Sequence, residues 1–342
     1  MLSSYESRSN LWIRNFIWED RKIYEVSKFS LQKKYSKREY CVQYRESDLN
    51  FICRLLEEEG IFYFFQHEKD KKKEVMGFVD SSANCPDCAT EKKIMFKEQT
   101  GGLSTEVEYV YECRLQQEVI SGKVTLNDFN YEKPNVSLLT SKTGNSSQAD
   151  KNLEVYDYPG GYNLQDIGEK LVRVRMEEID SRHLVVTGKS NWRSLGSGCK
   201  MTLTNHYRDD LNKDYLITRV IHQATQGSIF AFGESGEGTS YNNHFECIPL
   251  NIPFHPSRVT PHPTVKGGQT ATVVGPSGEK IYFDKLGRVK VQFHWDREGK
   301  KNENSTCWVR VSQGYAGIQH GIQFMPLIGD EVREGTPFTL SF

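Results

Sequence analysis

Five of the chain's 11 prolines crowd into CIPLNIPFHPSRVTPHP: Pro249, Pro253, Pro256, Pro261 and Pro263. Each proline fixes φ and removes a backbone donor, so this stretch can neither coil as a helix nor pair as a central strand. It predicts an extended connector over 248–264, with a body over 1–247 before it and a compact module over 265–342 after it.

The module reads as all-β. TATVVG, KIYFD, GRVKVQFHW and CWVRVSQ are strand candidates separated by GPSG, KLG and a charged loop. In the third, Val289, Val291, Phe293 and Trp295 alternate with Arg288, Lys290, Gln292 and His294. Period-two alternation directs the first set to a core and the second outward. The cluster His294-Trp295-Asp296-Arg297 resembles a site at first sight, yet the alternation makes it the polar end of a strand. Short, evenly spaced strands predict a small barrel of oligonucleotide/oligosaccharide-binding (OB) type.

The body mixes helix and strand. ESDLNFICRLLEEEG predicts a helix with Leu49, Ile52 and Leu56 on one face, Phe51 and Leu55 beside it, Ser47 as N-cap and Gly60 as stop. Glu57, Glu58 and Glu59 occupy its last turn, where the helix dipole disfavours negative charge. Two readings stand: a solvated face with Arg54 pairing at i+3 or i+4, or contact with basic residues across a domain or subunit boundary. Three glutamates on one turn diverge, so they are not the facing carboxylates of a glycosidase. IFYFF is an aromatic strand, HEKDKKKE a hairpin tip and YDYPGGY a turn. NLQDIGEKLVRVRMEEID predicts a second helix with Ile167, Leu171 and Val174 on one face, followed by strands HLVVTG, KMTLTNH and DYLITRVIHQA.

Forty-four basic and 45 acidic residues give a formal net charge of -1, so no overall positive field exists to hold nucleic acid or an anionic membrane. Protein partners fit better. The start shows no basic region leading into an apolar run, which predicts a chain made in the cytoplasm. The eight cysteines read as free thiols. Cys85 and Cys88 form a lone CxxC, consistent with ordinary loop cysteines, a metal site completed by His67 or Cys113, or a redox pair; the expectation is no metal and no cofactor.

Taken together, CVQYRESDLNFICRLLEEEGIFYFF, EVYDYPGGY, FECIPLNIPFHPSRVTPHP and the run from TATVVG to SQGYAG resemble VgrG, the tip-protein family of the bacterial type VI secretion system, from Tyr40 to Val332. The resemblance implies a mainly β fold with a few helices (α+β): a barrel body like the tail hub of contractile phages, then a small OB-type β-barrel at the base of a spike. It also implies a homotrimer that caps a tube of Hcp hexamers and carries tip-capping and effector proteins. Such a protein is exported by the secretion system and meets the target-cell membrane only by mechanical penetration. No catalytic residue carries over, since effector chemistry in the family resides in extra C-terminal domains. Glu57, Glu58 and Glu59 become candidate contacts between subunits or domains. Relative to the family, the stretch before CVQYRESD is short, and GDEVREGTPFTLSF stands where an aliphatic strand and a β-prism needle follow, so the expectation is a first hub barrel incomplete at its N-terminal side and no needle. The alternatives are a nucleic-acid-binding OB module and a cell-wall hydrolase like those inserted in some phage spikes.

Overall fold

Consecutive buried residues Tyr215, Leu216 and Ile217 mark the centre of the fold. A strand apolar at successive positions is covered on both faces. This is the arrangement in the computed structural model, which describes residues 27–35, 38–68, 73–88, 91–98, 107–145, 150–226, 240–317 and 320–335. The chain divides into two compact units, a larger one containing Leu56–Arg258 and a smaller one containing Lys34–Leu55 and the residues from Val259 onward. Among the described residues the fold is mostly β with two α-helices.

In the larger unit, β1 (Ser27–Ser30) lies parallel to β3 (Lys73–Val79), which pairs on its other side with antiparallel β2 (Phe62–Glu68). Helix α1 (Asp48–Glu59) precedes β2; its residues up to Leu55 belong to the smaller unit and its last turn to the larger. The main sheet uses β4 (Lys93–Met95), β5 (Val110–Gln117), β9 (Leu184–Ser190), β10 (Lys200–Thr204), β11 (Asp214–Thr225) and β12 (Ser240–Pro249), in the order β4-β10-β11-β12-β9-β5. Between β5 and β9 the chain builds a lobe in which β6 (Ser121–Leu126) is flanked by β7 (Thr140–Thr143) and β8 (Asp150–Asp157). Helix α2 (Gln165–Asp180) packs Val172 and Met176 against Val124, Leu126 and Leu138 of that lobe.

The main sheet has a core on each side. Tyr215, Ile217 and Cys247 face one with Met201, Leu203, Phe245 and Trp192. Leu216 and Ile248 face the other, against Phe62, Phe64, Val79 and Cys85. Each fully buried side chain of this size contributes roughly 2–3 kcal/mol. Beyond an irregularity between Ile217 and Arg219, β11 continues alongside β12 and is largely exposed over its outer half.

Ile248 and Pro249 pair with Leu216 and Tyr215 at the end of β12, although that strand lies inside the sheet. Strand β9 reaches only to Cys247, so Pro249 has a neighbour on one side alone and its missing donor leaves no gap in a second ladder. Phe254 then packs edge-on against Phe62 with ring centroids 4.9 Å apart, and His255 is buried.

The smaller unit carries β13 (Gln269–Val274), β14 (Arg288–Phe293), β15 (Val309–Arg310), β16 (Tyr315–Ala316), β17 (Gly321–Ile322) and β18 (Glu331–Glu334). Four form a sheet ordered β15-β14-β13-β18, while β16 and β17 pair with each other. Val289, Val291 and Phe293 face the core as the alternation requires, and Trp295 stacks on Phe293 at 4.8 Å. Gln292, expected outside, is buried. The turn after β14 folds over it: Gln292 Nε2 donates to Asp296 O at 3.2 Å, and a Cβ on Gly299 would overlap its amide. KIYFD forms no strand. Its Asp284 instead closes a turn, accepting Leu286 N and Arg288 N at 2.9 Å each and Arg288 Nε at 2.6 Å. CWVRVSQ contributes only Val309 and Arg310 to the sheet.

From the N-terminal part of the chain, Tyr40 and Val42 join Val265 in a small core. Tyr44 lies edge-on to Trp295 at 5.7 Å and receives a hydrogen bond from Gln269 Nε2 at 3.1 Å.

Candidate functional site

The three glutamates lie where α1 stops. Ser47 Oγ accepts Asn50 N at 3.2 Å at the helix start, and Gly60 ends it at φ +72°. A Cβ at Gly60 would come within 2.6 Å of Val174 and 2.7 Å of His255, so both the left-handed backbone and the close approach require glycine. On α1 the buried positions are Phe51, Arg54, Leu55, Leu56 and Glu57, whereas Leu49 is exposed, which rotates the inward face away from the predicted one. Arg54 forks onto Glu46 with Nε and Nη2 both at 2.9 Å, rather than serving the last turn as the first reading had it.

What meets the end of the helix is Arg175 of α2. Its guanidinium donates to the carbonyl oxygens of Glu57 (3.3 Å) and Glu58 (3.2 Å), two of the acceptors a helix C-terminus leaves unpaired. Arg175 also pairs with Glu178 at 3.0 Å, and Glu178 accepts Arg182 Nη2 at 2.8 Å. Burial, followed by repulsion from Arg258, lowers the Arg175 pKa to about 10, still well above neutrality. The glutamate side chains are placed unequally: Glu57 is buried, while Glu58 and Glu59 are partly exposed.

Beside this clamp, His255 Nδ1 lies 2.7 Å from Gly60 O and Nε2 lies 2.9 Å from Glu177 Oε2. Both ring nitrogens are thus engaged, one with the backbone at the end of α1 and one with a side chain of α2, and the ring links the two helices. Burial raises the Glu177 pKa, but His255, Lys33 and Arg173 outweigh it and the net shift is downward. Neither Arg175 nor His255 was singled out in the sequence. The signal existed for the first: an arginine between Val174 and Met176 sits inside the apolar stripe of a helix.

The remaining sequence candidates separate. His294 is exposed, with Nε2 3.6 Å from an exposed Glu331 oxygen. Cys85 and Cys88 point into different cores, so the CxxC does not act as a pair, and the thiol next to Cys88 is Cys199. His67 is exposed beside Glu74. Among the described residues no group of three or more His, Cys, Asp or Glu side chains converges to hold a metal ion.

Exposed apolar surface is the other notable feature. On the lobe, Phe129, Val136, Leu139, Leu153, Val155 and Tyr156 are all more than two-fifths exposed. Within the smaller unit, Ile281, Phe283, Leu286, Ile322 and Phe324 are exposed likewise. Apolar side chains left exposed in number are candidates for interaction sites.

A six-stranded sheet buried on both faces and a separate β-module define a protein of the tail-hub class. The family described as phage tail baseplate hub (GPD) matches residues 18–228, and the type VI secretion system/phage-baseplate injector OB domain matches residues 280–333. The chain belongs to the phage tail baseplate hub family. It is 37% identical over 303 residues to the type VI secretion system spike protein VgrG1b of Pseudomonas aeruginosa, covering 89% of this chain and 40% of that protein. VgrG3 of Vibrio cholerae is 36% identical over 306 residues, covering 89% of this chain and 29% of the relative. A Vibrio cholerae relative named actin cross-linking toxin VgrG1 is 35% identical over 305 residues, and the match covers 27% of it. This chain therefore spans well under half the length of these relatives. Among solved structures, the Escherichia coli c3393 protein, described as a component of the type VI secretion system similar to T4 tail proteins gp27 and gp5, shares the fold. The TM-score is 0.61 at 19% identity, with 99% of this chain and 73% of that one covered.

Proposed function

We propose that the chain is the hub and injector part of a type VI secretion spike, working as a homotrimer that caps the Hcp tube, carries effector and tip-capping proteins, and enters target cells by penetration rather than catalysis. The observation that carries this reading is a single match to spike proteins over 89% of the chain, through the matched hub and injector segments in that order. Exposed apolar side chains in both units support self-association. In this reading residues 1–247 serve as hub, 248–264 as connector and 265–342 as injector barrel, and the protein leaves the cytoplasm through the secretion system it belongs to. Glu58 and Glu59, with Glu57 behind them, meet basic residues at a subunit or domain boundary. No residue is assigned a catalytic role in this reading.

Light scattering coupled to size exclusion tests the assembly on this sequence extended through a full spike. A trimer is expected at micromolar concentration, with Val155→Glu shifting it to monomer while circular dichroism stays unchanged. A monomeric parent protein would overturn the proposal.

A further inference from the structure

Cys88 and Cys199 are 111 residues apart in the sequence and adjacent in the larger unit. Backbone bonds fix their proximity: Lys200 N donates to Pro86 O at 2.8 Å and Cys88 N donates to Lys200 O at 3.1 Å, around a parallel bridge between Asp87 and Lys200. The segment carrying Cys88 is thereby strapped to β10 one residue after Cys199. The two side chains pack in the same apolar cluster. Gly196 approaches both, with its N–H toward the Cys88 sulfur and its Cβ position 3.6 Å from Cys199 Sγ. Cys88 is buried in the main core, whereas Cys199 is partly exposed and open to a small reagent. Cys85, three residues from Cys88, turns into the opposite core.

We propose that Cys88 and Cys199 form a redox-active dithiol that closes to a disulfide when a small-molecule disulfide such as oxidised glutathione reaches Cys199. The contact with Cys88 lowers the Cys199 pKa, and the same contact, with burial, raises that of Cys88. Cys199, the more exposed of the two, is the attacking thiolate. Its sulfur bonds to one sulfur of the oxidant, the oxidant's S–S bond breaks, and one small thiolate leaves and takes up a proton. Cys88 then releases its proton to solvent and attacks Cys199 Sγ, forming the protein disulfide and expelling the second small thiol. Two protein thiols are oxidised and one small disulfide is reduced to two thiols. The bond would fasten the edge carrying Cys88 and β4 to the rest of the main sheet. Its use on passage from a reducing cytoplasm to an oxidising exterior rests on the export reading, but the chemistry does not.

The test is peptide mapping by mass spectrometry of the folded, reduced chain after exposure to oxidised glutathione. A Cys88–Cys199 cross-linked peptide is expected, reversed by dithiothreitol. Cys88→Ala should accumulate a glutathione adduct on Cys199, and Cys199→Ala should leave residue 88 unmodified. Because the linkage closes a loop of over one hundred residues, oxidation should raise the melting midpoint by roughly 10 °C. A Cys85–Cys88 linkage, an adduct on Cys88 in the Cys199→Ala variant, or eight unmodified thiols under conditions that oxidise dithiothreitol would each overturn the proposal. None of these outcomes bears on the trimer measurement, so failure of the redox assignment leaves the spike reading intact.

Discussion

The two units hold their strands in different ways. In the larger one, β11 and β12 pair at ten positions and β12 pairs with β9 at five more, so the ladder itself defines register. In the smaller one, β13 and β14 pair at four positions and β14 and β15 at two. There, side chains do what the ladder does elsewhere: Asp284 closes the turn into β14, Gln292 anchors the turn out of it, and Trp295 Nε1 donates to Gln269 Oε1 at 2.7 Å. A long ladder tolerates loss of any one side-chain contact, while a short one does not.

The largest effect should come from the centre of the main sheet. Phe245→Ala removes a fully buried ring and is expected to cost about 4–5 kcal/mol, against about 3 kcal/mol for Phe293→Ala, where the partly exposed Trp295 can collapse into the gap. Urea denaturation followed by fluorescence measures both, and equal losses would erase the contrast. Next in size are the two arginine clamps. Arg175→Met strips Glu178 of a buried partner and uncaps α1, with an expected loss of about 3 kcal/mol. Arg288→Met should cost about 1–2 kcal/mol, since Asp284 keeps its backbone donors. A reversed ranking would mean the smaller unit depends on its clamp even more than its short ladders suggest.

The smallest effect is on acid stability, where the two units should behave alike. At Glu177 the raising effect of burial is outweighed by His255, and at Asp284 it is outweighed by the Arg288 backbone and side-chain bonds, so both carboxyls end below their usual range. A carboxyl whose folded pKa is depressed contributes stability that is full above its ordinary pKa of about 4 and is lost as pH falls through the folded value. His255→Gln and Asp284→Asn should therefore lower stability at pH 7 and flatten acid unfolding between about pH 5 and 2, so that variant and parent converge at the acid end. If either variant is as acid-sensitive as the parent, its contact does not carry the linkage.

Local periodicity made much of this legible. The alternation in GRVKVQFHW set the core face correctly, with Val289, Val291 and Phe293 buried and Trp295 packed against them, and Ser47 and Gly60 bounded α1 as their chemistry requires. What escaped was decided by distant chain. The last two residues of β12 read as connector because of Pro249, whereas the tolerance for proline came from how far β9 extends. Gln292 is buried because a turn four to seven residues later folds back over it, which no alternation rule encodes. The glutamates of α1 were noticed for the right reason, an unfavourable helix end. One partner of that helix end, Arg175, lies more than one hundred residues away and donates to carbonyl oxygens.

The placement of residues 34–55 with the smaller unit has a consequence for synthesis. Tyr44 and its partner Gln269 are separated by 225 positions. At about 5–20 residues per second, a ribosome needs roughly 10–45 s to deliver the second after the first. For that interval Tyr40, Val42 and Tyr44 have emerged while the residues that will cover them do not yet exist. The early segment must wait unpaired, exposed to chaperones and to neighbouring nascent chains, until the last quarter of the sequence arrives.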